Sequence, residues 1–144
     1  MVGNQNEKAE APLHPPVDIQ WQRNAAGKFH NLMMLDTATE RLTDASGVYV
    51  IWRGGVKPEW LYAGSTRDLD GTLSHFMNAD PRMEEHYNRG RVYVSWTRIK
   101  AEYQDGIVRF LNEVMKPEME NPDVEDLNRT KVPMIAVFLP GLEK

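Results

Sequence analysis

Two tyrosine-bearing tripeptides are the first feature of this sequence whose residue types could support chemistry. Gly47-Val48-Tyr49 begins an apolar run, and Tyr62-Ala63-Gly64 ends the next one. A tyrosine hydroxyl can both donate and accept a hydrogen bond, and it relays a proton only where its surroundings raise its basicity. Taken alone, aromatic residues of this kind are common on half-buried strands. Their role therefore depends on the elements that position them.

The elements around the two tripeptides follow the order strand, strand, helix, strand, helix. β-branched and aromatic runs predict three strands, at about 47–53, 59–64 and 91–100. Apolar residues at helical spacing predict two helices, at about 69–77 and 103–116. Pro117 ends the second helix. The expected fold is one α/β (α+β) domain, for which 144 residues suffice.

The N-terminal third of the chain is predicted to extend this core. Residues 1–16 are polar and contain three prolines, which predicts a disordered arm. Residues 17–23 alternate apolar and polar, and with residues 29–35 they predict a hairpin, although a short helix is the alternative for 29–35. The turn between them has Gly27 available for a positive φ. Residues 36–46 are polar and suit a helical turn capped by Asp36 or Thr37.

The C-terminal part is predicted to be an acidic linker followed by an apolar strand at 133–139. Pro133 favours the start of that strand or an edge position. The expected organisation is an arm at 1–16, an N-terminal extension at 17–46, a core at 47–121, and the linker with its terminal strand at 122–144.

Composition limits the classes of function. The chain has no cysteine, which excludes disulfides, thiolate zinc sites and cysteine nucleophiles. Its net charge is −4, whereas nucleic-acid binders usually need clustered cations. Loop residues Arg89 and Arg91 could touch a phosphate backbone, although loop charges are usually only solvated. No apolar run is long enough to span a membrane and no signal pattern is visible, so a cytoplasmic protein is expected.

The two tripeptides and their surroundings resemble the GIY-YIG nuclease family. Ser46 precedes the first tripeptide, and a helix ending in His75-Phe76 follows the second. A later helix closes on Lys116-Pro117, with Asn121 nearby. The resemblance covers residues 47–121 and implies a three-stranded antiparallel core sheet with Tyr49 and Tyr62 lining the active cleft. It also implies that His75 could contact a phosphate; a helix-end histidine satisfied by terminal carbonyls is the alternative.

Two catalytic groups of the family have no counterpart at the matching positions. The arginine expected on the first helix aligns with Thr72, and Arg67 is the nearest basic candidate to replace it. The metal-binding glutamate aligns with Val108, and Asp105 and Glu113 are the nearest carboxylates. An apolar residue cannot bind Mg²⁺, which requires oxygen ligands. No cofactor is therefore expected, and Mg²⁺ or Mn²⁺ would be needed only if the protein were active.

The missing groups favour a non-catalytic domain that acts as a binding or interaction module. A protein partner or a homo-oligomer is expected rather than nucleic acid, because acidic residues outnumber basic ones by 21 to 17 and residues 113–126 are strongly acidic. One alternative is a metal-dependent endonuclease that uses Arg67 with Asp105 or Glu113. A nucleic-acid binder without cleavage is another. No membrane partner is expected.

Overall fold

The computed structural model describes residues 12–142. Most of the predicted arm at 1–16 lies outside the described residues, and residues 12–16 contain no helix or strand. The strands are β1 (His30–Asn31), β2 (Gly47–Arg53), β3 (Glu59–Thr66) and β4 (Val92–Arg98). The α-helices are α1 (Leu69–Asn78), α2 (Met83–Asn88), α3 (Ala101–Met115) and α4 (Asp123–Arg129), with a 3₁₀ helix at Leu32–Met34. Within residues 12–142, none of these helices is long and apolar enough to cross a membrane.

A four-stranded sheet with the order β1-β4-β2-β3 forms the centre of the α+β fold, and its neighbouring strands are all antiparallel. The three strands predicted from the apolar runs are present. The sheet has a fourth strand because His30–Asn31 pairs with β4 at its edge. In the register of β2 and β3, Tyr49 faces Gly64 and Ile51 faces Tyr62. The two tripeptides therefore lie side by side on adjacent strands.

Both faces of the sheet are covered, which explains why β2 is apolar from Val48 to Trp52. Every residue of Gly47–Arg53 is buried. Because side chains alternate between faces along a strand, Tyr49 and Ile51 enter one core cluster and Val48 and Val50 the other. The first face is covered by α1, α2 and the 3₁₀ helix, which contribute Leu69, Leu73, Phe76, Met83 and Leu32. The second face is covered by α3 and α4, which contribute Ile107, Val108, Leu111, Met115 and Leu127.

The outer edge of β3 is occupied by the chain itself. Downstream of α3, the backbone amides of Glu118 and Met119 donate to the carbonyl oxygens of Trp60 and Leu61, at 3.0 and 2.9 Å. The Asn121 side chain donates to Ala63 O at 2.9 Å. These bonds satisfy carbonyl groups that an edge strand would otherwise present to a second chain.

The predicted N-terminal hairpin does not form. Residues 17–23 contain no strand, because Gln20 adopts a φ of 60° and donates its amide to Asp18 Oδ1. Backbone groups of this segment instead make single bonds to other elements, such as Gln22 N to Trp96 O at 2.9 Å. The alternation in the sequence reflects burial, since Trp21 is 3% exposed. In 29–35, the short strand β1 leads directly into the 3₁₀ helix, which agrees with the helical alternative.

The predicted terminal strand at 133–139 is also wrong. Within the described residues, the β pairing of this segment is limited to one parallel bridge between Val137 and Val17. The segment lies over α3 instead, with Ile135 N donating to Gly106 O at 3.0 Å. Met134, Ala136 and Val137 are buried there, and Ile135, Phe138 and Leu139 are half-buried. The acidic segment before it, expected to be a linker, contains α4, whose Leu127 is buried.

Candidate functional site

The two glycines of the tripeptides are required by the close approach of neighbouring atoms. A Cβ at Gly47 would lie 2.1 Å from Thr97 O, on the backbone of β4. A Cβ at Gly64 would lie 3.0 Å from Tyr49 Oη and 3.1 Å from Asn121 Nδ2. Gly47 thus allows β4 to pack against β2, and Gly64 allows the Tyr49 side chain to lie across β3.

Tyr49 and Tyr62 form a pair on the first face of the sheet. Their rings are stacked, with centroids 6.0 Å apart and an interplanar angle of 13°. Phe76 of α1 contacts both rings, with centroid distances of 5.9 and 5.1 Å. The exposed fractions of Tyr49 and Tyr62 are 4% and 9%, so both rings belong to the core while the cleft described below opens beside them.

The surroundings of this pair keep both hydroxyl groups protonated. Burial raises the pKa of Tyr49, and the neighbouring Tyr62 and the charge of Asp123 raise it further. Burial also raises the pKa of Tyr62, an effect that the positive charge of Arg82 partly offsets. Neutral tyrosines donate hydrogen bonds and cannot serve as bases near pH 7. The pair is therefore suited to binding an acceptor group.

Arg82, which the sequence analysis did not identify, lies beside the tyrosine pair. Its guanidinium carbon is 5.5 Å from the centroid of the Tyr62 ring. Asp80 holds it in a bidentate ion pair, with Arg82 Nε to Asp80 Oδ1 at 3.0 Å and Arg82 Nη2 to Asp80 Oδ2 at 2.6 Å. The sequence does not indicate Arg82 as a site residue, because the expected arginine lies on the first helix and Arg82 follows α1. The Asp80-Pro81-Arg82 turn, which brings the two charges together, is the signal that could have revealed it.

The Arg82–Asp80 pair is fixed in place by burial of the carboxylate. The Asp80 side chain is 3% exposed, whereas the Arg82 side chain is 46% exposed. The hydrogen bonds from Arg82 hold the pKa of Asp80 below its usual value, and Asp80 in turn raises the pKa of Arg82. His75 Nε2 lies 3.8 Å from Asp80 Oδ2. The carboxylate thus anchors a cation that remains accessible to solvent.

These side chains line a cleft of about 420 Å³ between the sheet and α1. The lining residues are Tyr49, Tyr62, Asp68, Gly71, Thr72, His75, Phe76 and Arg82. The structure therefore brings three of the four predicted site residues, Tyr49, Tyr62 and His75, to one cleft. Thr72 also lies there, with its hydroxyl 2.7 Å from that of Thr66.

The other candidates from the sequence lie elsewhere. Arg67 is exposed and does not line the cleft. Asp105 and Glu113 lie on α3, which packs on the opposite face of the sheet from the tyrosine pair. Val108 is 2% exposed in the core on that opposite face, so this position offers a metal no oxygen ligand. In residues 12–142 there is no group of three or more His, Asp or Glu side chains arranged to hold a metal ion.

Comparison of the chain with protein-family models, with curated proteins and with solved structures gives no match. The cleft itself is lined by two neutral tyrosines, an anchored guanidinium and a histidine. A site of this composition can bind a group that accepts hydrogen bonds and carries negative charge. Its lining also includes one carboxylate, Asp68, whose Oδ1 accepts a hydrogen bond from Asp44 N at 3.0 Å.

Proposed function

We propose that the chain is a non-catalytic domain of the GIY-YIG type that binds, through its tyrosine cleft, an anionic group presented by a protein partner. The resemblance in the two tripeptides is supported by their pairing on adjacent antiparallel strands. It is further supported by the close packing at Gly64, where Tyr49 and Asn121 meet.

The position of Arg82 is the observation that carries the binding proposal. Arg82 uses Nε and Nη2 for Asp80, and Nη1 makes no hydrogen bond to any described residue. A guanidinium oriented in this way forms charge-assisted hydrogen bonds with carboxylate or phosphate oxygens. The neighbouring tyrosine hydroxyls add neutral donors, which strengthens the preference for an acceptor.

The absence of catalysis is proposed because the metal position of the resemblance falls on Val108, which is buried and apolar. Hydrolysis of a phosphodiester in this family needs the charge of a metal ion on the phosphate, and a valine cannot hold one. The high pKa of both tyrosines also removes a base that could activate water at neutral pH.

A protein partner is proposed because acidic residues outnumber basic ones in the chain and cluster at the start of α4. The chain carries a net charge of −4, and the first turn of α4 contains Asp123, Glu125 and Asp126. This charge disfavours a polyanion over a longer contact, while a single anionic side chain can still reach Arg82. A homodimer that pairs at the edge of β3 is not part of the proposal, since Glu118 and Met119 occupy that edge.

Binding can be tested by NMR titration with acetate and with inorganic phosphate. We expect saturable shifts of the backbone amides of Thr72, His75 and Arg82. Arg82→Ala should weaken the binding by about tenfold, the contribution of a hydrogen-bonded charge. Arg67→Ala removes an exposed arginine outside the cleft and should leave the affinity unchanged. An affinity unchanged in Arg82→Ala would contradict the assignment of the cleft.

A metal-dependent phosphodiesterase is the second candidate, and Arg82 is the observation that favours it, since it supplies a guanidinium beside Tyr62. On our proposal, purified protein with Mg²⁺ or Mn²⁺ leaves single-stranded, duplex and branched DNA uncut. Cleavage that requires the metal and is lost in both Tyr49→Phe and Arg82→Ala would establish the enzyme instead. Cleavage that survives both substitutions would indicate a contaminant.

A further inference from the structure

A second and larger concave surface lies away from the tyrosine cleft and shares no lining residue with it. This surface, here called the basic groove, has a volume of about 780 Å³. Its walls are the turn at residues 24–28, the ends of β2 and β4, and β1. Its aromatic residues Trp52, Tyr93 and Phe29 pack with the core on the second face, whereas Tyr49 and Tyr62 belong to the first.

One wall of the basic groove is a rigid turn that carries two cations. Asn24 Oδ1 accepts hydrogen bonds from the amides of Ala26 and Lys28, at 2.9 and 3.0 Å, and Gly27 adopts a φ of 78°. Arg23 Nη1 donates to Gly27 O at 3.0 Å. These bonds fix the backbone that presents Lys28, so less entropy is lost when Lys28 binds a ligand.

The opposite wall supplies a third cation, which lies beside two consecutive glycines. Arg91 is exposed at the start of β4, and Gly54 and Gly55 follow β2. A Cβ at Gly54 would lie 2.8 Å from Tyr93 Cε2, so the glycine lets the Tyr93 ring lie flat against this loop. Among residues 12–142, neither Lys28 nor Arg91 is in an ion pair, which leaves both cations available.

The floor of the basic groove is aromatic. Trp52 contacts Phe29 and Tyr93, with ring centroids 5.2 Å away in each case. Arg23 lies over the Phe29 ring, with its guanidinium carbon 3.9 Å from the centroid. Phe29 and Tyr93 are half-buried, so part of each ring faces the groove. Such a surface favours a planar, polarisable ligand.

The basic residues that line the groove favour a negatively charged ligand. The groove is lined by Arg23, Lys28, Arg91 and His30 but by no aspartate or glutamate, in a chain whose net charge is −4. The nearest carboxylate to the His30 ring is Glu40, 3.9 Å from Nε2 and outside the lining. We propose that the basic groove is a second binding site, for a ligand that joins a planar ring to an anionic group, as a nucleoside phosphate does.

The test compares adenosine monophosphate with its two halves, adenosine and inorganic phosphate, by NMR titration of the full chain. We expect saturable shifts at the amides of Lys28, Gly54 and Gly55. Adenosine monophosphate should bind at least about tenfold more tightly than either half, because only the whole molecule reaches both the ring floor and the cations. Equal affinity for inorganic phosphate or for adenosine would overturn the proposal, as would the absence of saturable binding.

Variants at exposed positions test the residues without disturbing the core. The double substitution Lys28→Ala with Arg91→Ala should weaken binding of adenosine monophosphate by about tenfold. Arg89→Ala is the matched control. Arg89 is exposed in the loop that precedes β4, as Arg91 is, but it pairs with Glu85 and does not line the groove. Arg82→Ala separates the two sites: it should weaken anion binding in the tyrosine cleft and leave the groove unaffected. An affinity unchanged in the double variant contradicts the assignment.

A planar ring joined to an anionic group occurs both in a free nucleotide and in single-stranded nucleic acid. Titration with a single-stranded oligoadenylate distinguishes these two ligands. Tighter binding than adenosine monophosphate, with the same loss in the double variant, identifies the ligand as a segment of single-stranded nucleic acid. Weaker binding identifies a free nucleotide. Both results support a site for a planar anion, whereas oligonucleotide binding that is insensitive to the double variant overturns it. The affinity should fall as salt is added, because the cations are exposed.

Discussion

At the scale of single residues, the tyrosine cleft depends on one close approach and one anchored charge. Gly64 leaves room for the Tyr49 hydroxyl and the Asn121 amide against β3. The buried Asp80 carboxylate accepts two hydrogen bonds from Arg82 and so holds its guanidinium beside Tyr62. Neither contact is a property of one residue alone, so substitutions of paired positions are the informative experiments.

Gly64→Ala should destabilise the protein by about 1–3 kcal/mol, because the new methyl group would lie 3.0 Å from Tyr49 Oη and must displace that ring. Urea unfolding measures the change. In a Tyr49→Phe background the nearest atom is removed, so the same substitution should cost less. An equal cost in both backgrounds would show that the Asn121 side chain, 3.1 Å away, is the limiting contact.

Asp80→Asn should lower the free energy of unfolding at pH 7 by about 1–3 kcal/mol through loss of the charged hydrogen bonds. Because the folded protein lowers the pKa of Asp80, its stabilisation is complete above the ordinary carboxyl pKa of about 4 and is lost as the pH falls through the lowered value. The gap between variant and parent should therefore shrink between pH 7 and pH 2. Glu84→Gln, at an exposed carboxylate of α2, should show no such gap.

At the scale of elements, the covering of β3 links α3, α4 and the sheet. Asn121 donates to Ala63 O with its Nδ2 and accepts from Asp123 N, the first residue of α4, with its Oδ1 at 2.9 Å. One side chain therefore fixes both the edge of the sheet and the start of a helix. Asn112 of α3 donates to the same Ala63 oxygen at 3.2 Å.

Asn121→Ala should destabilise the fold by about 1–3 kcal/mol, because it leaves a buried carbonyl with one donor fewer and frees the start of α4. Asn112→Ala is the matched control: it removes the longer bond to the same oxygen from a half-buried position, and its cost should be smaller. Thermal unfolding ranks the two variants. The reverse order would assign the covering of β3 to α3.

Gly106→Ala on α3 should destabilise the protein, although alanine favours an isolated helix over glycine by about 1 kcal/mol. A Cβ at this position would lie 2.6 Å from Pro133 O and 2.8 Å from Ile135 Cγ1, so the segment 133–139 would have to move. Calorimetry should show a lower Tm. A higher Tm would mean that this segment yields without cost to the core.

The sequence predicted those helices, strands and turns that are determined by the pattern of apolar residues and glycines within the element itself. The apolar runs gave β2, β3 and β4, helical spacing gave α1 and α3, and Gly27 marked a real turn. The hairpin and the terminal strand were wrong because alternation reports burial. Trp21 and Val137 are buried in the core cluster that includes α3, and one isolated β-bridge, Val17–Val137, takes the place of the predicted strand pairing. The structure brings Tyr49, Tyr62 and His75 to one cleft, whereas Arg67 lies outside it. Arg82 was missed because only the tertiary fold brings its turn to the tyrosines.

At the scale of the whole molecule, the two ends of the described chain close the second face together. Trp21 donates its indole N–H to Phe138 O at 2.7 Å, and Phe138 N donates to Val17 O at 3.0 Å. Trp21 and Val137 both belong to the core cluster against α3. The stability of this face therefore depends on contacts between segments that lie far apart in sequence.

Trp21→Ala should lower the free energy of unfolding by about 3–5 kcal/mol, the usual cost of removing a buried tryptophan. Trp60→Ala removes a half-buried tryptophan from β3 and should cost less. Urea unfolding followed by circular dichroism compares the two without relying on tryptophan emission. A smaller effect for Trp21→Ala would mean that the ends of the chain contribute little to the second face.

The covering of β3 also has a consequence for biosynthesis. Translation delivers Glu59–Thr66 well before the residues that shield it, since Glu118 and Met119 follow about fifty residues later. During that interval the nascent β2–β3 pair exposes an unprotected edge, which is the surface most prone to intermolecular strand addition. Ribosome-bound chains in which Glu59–Thr66 but not residues 118–121 have left the exit tunnel should therefore recruit chaperones, and chains in which both segments have emerged should release them.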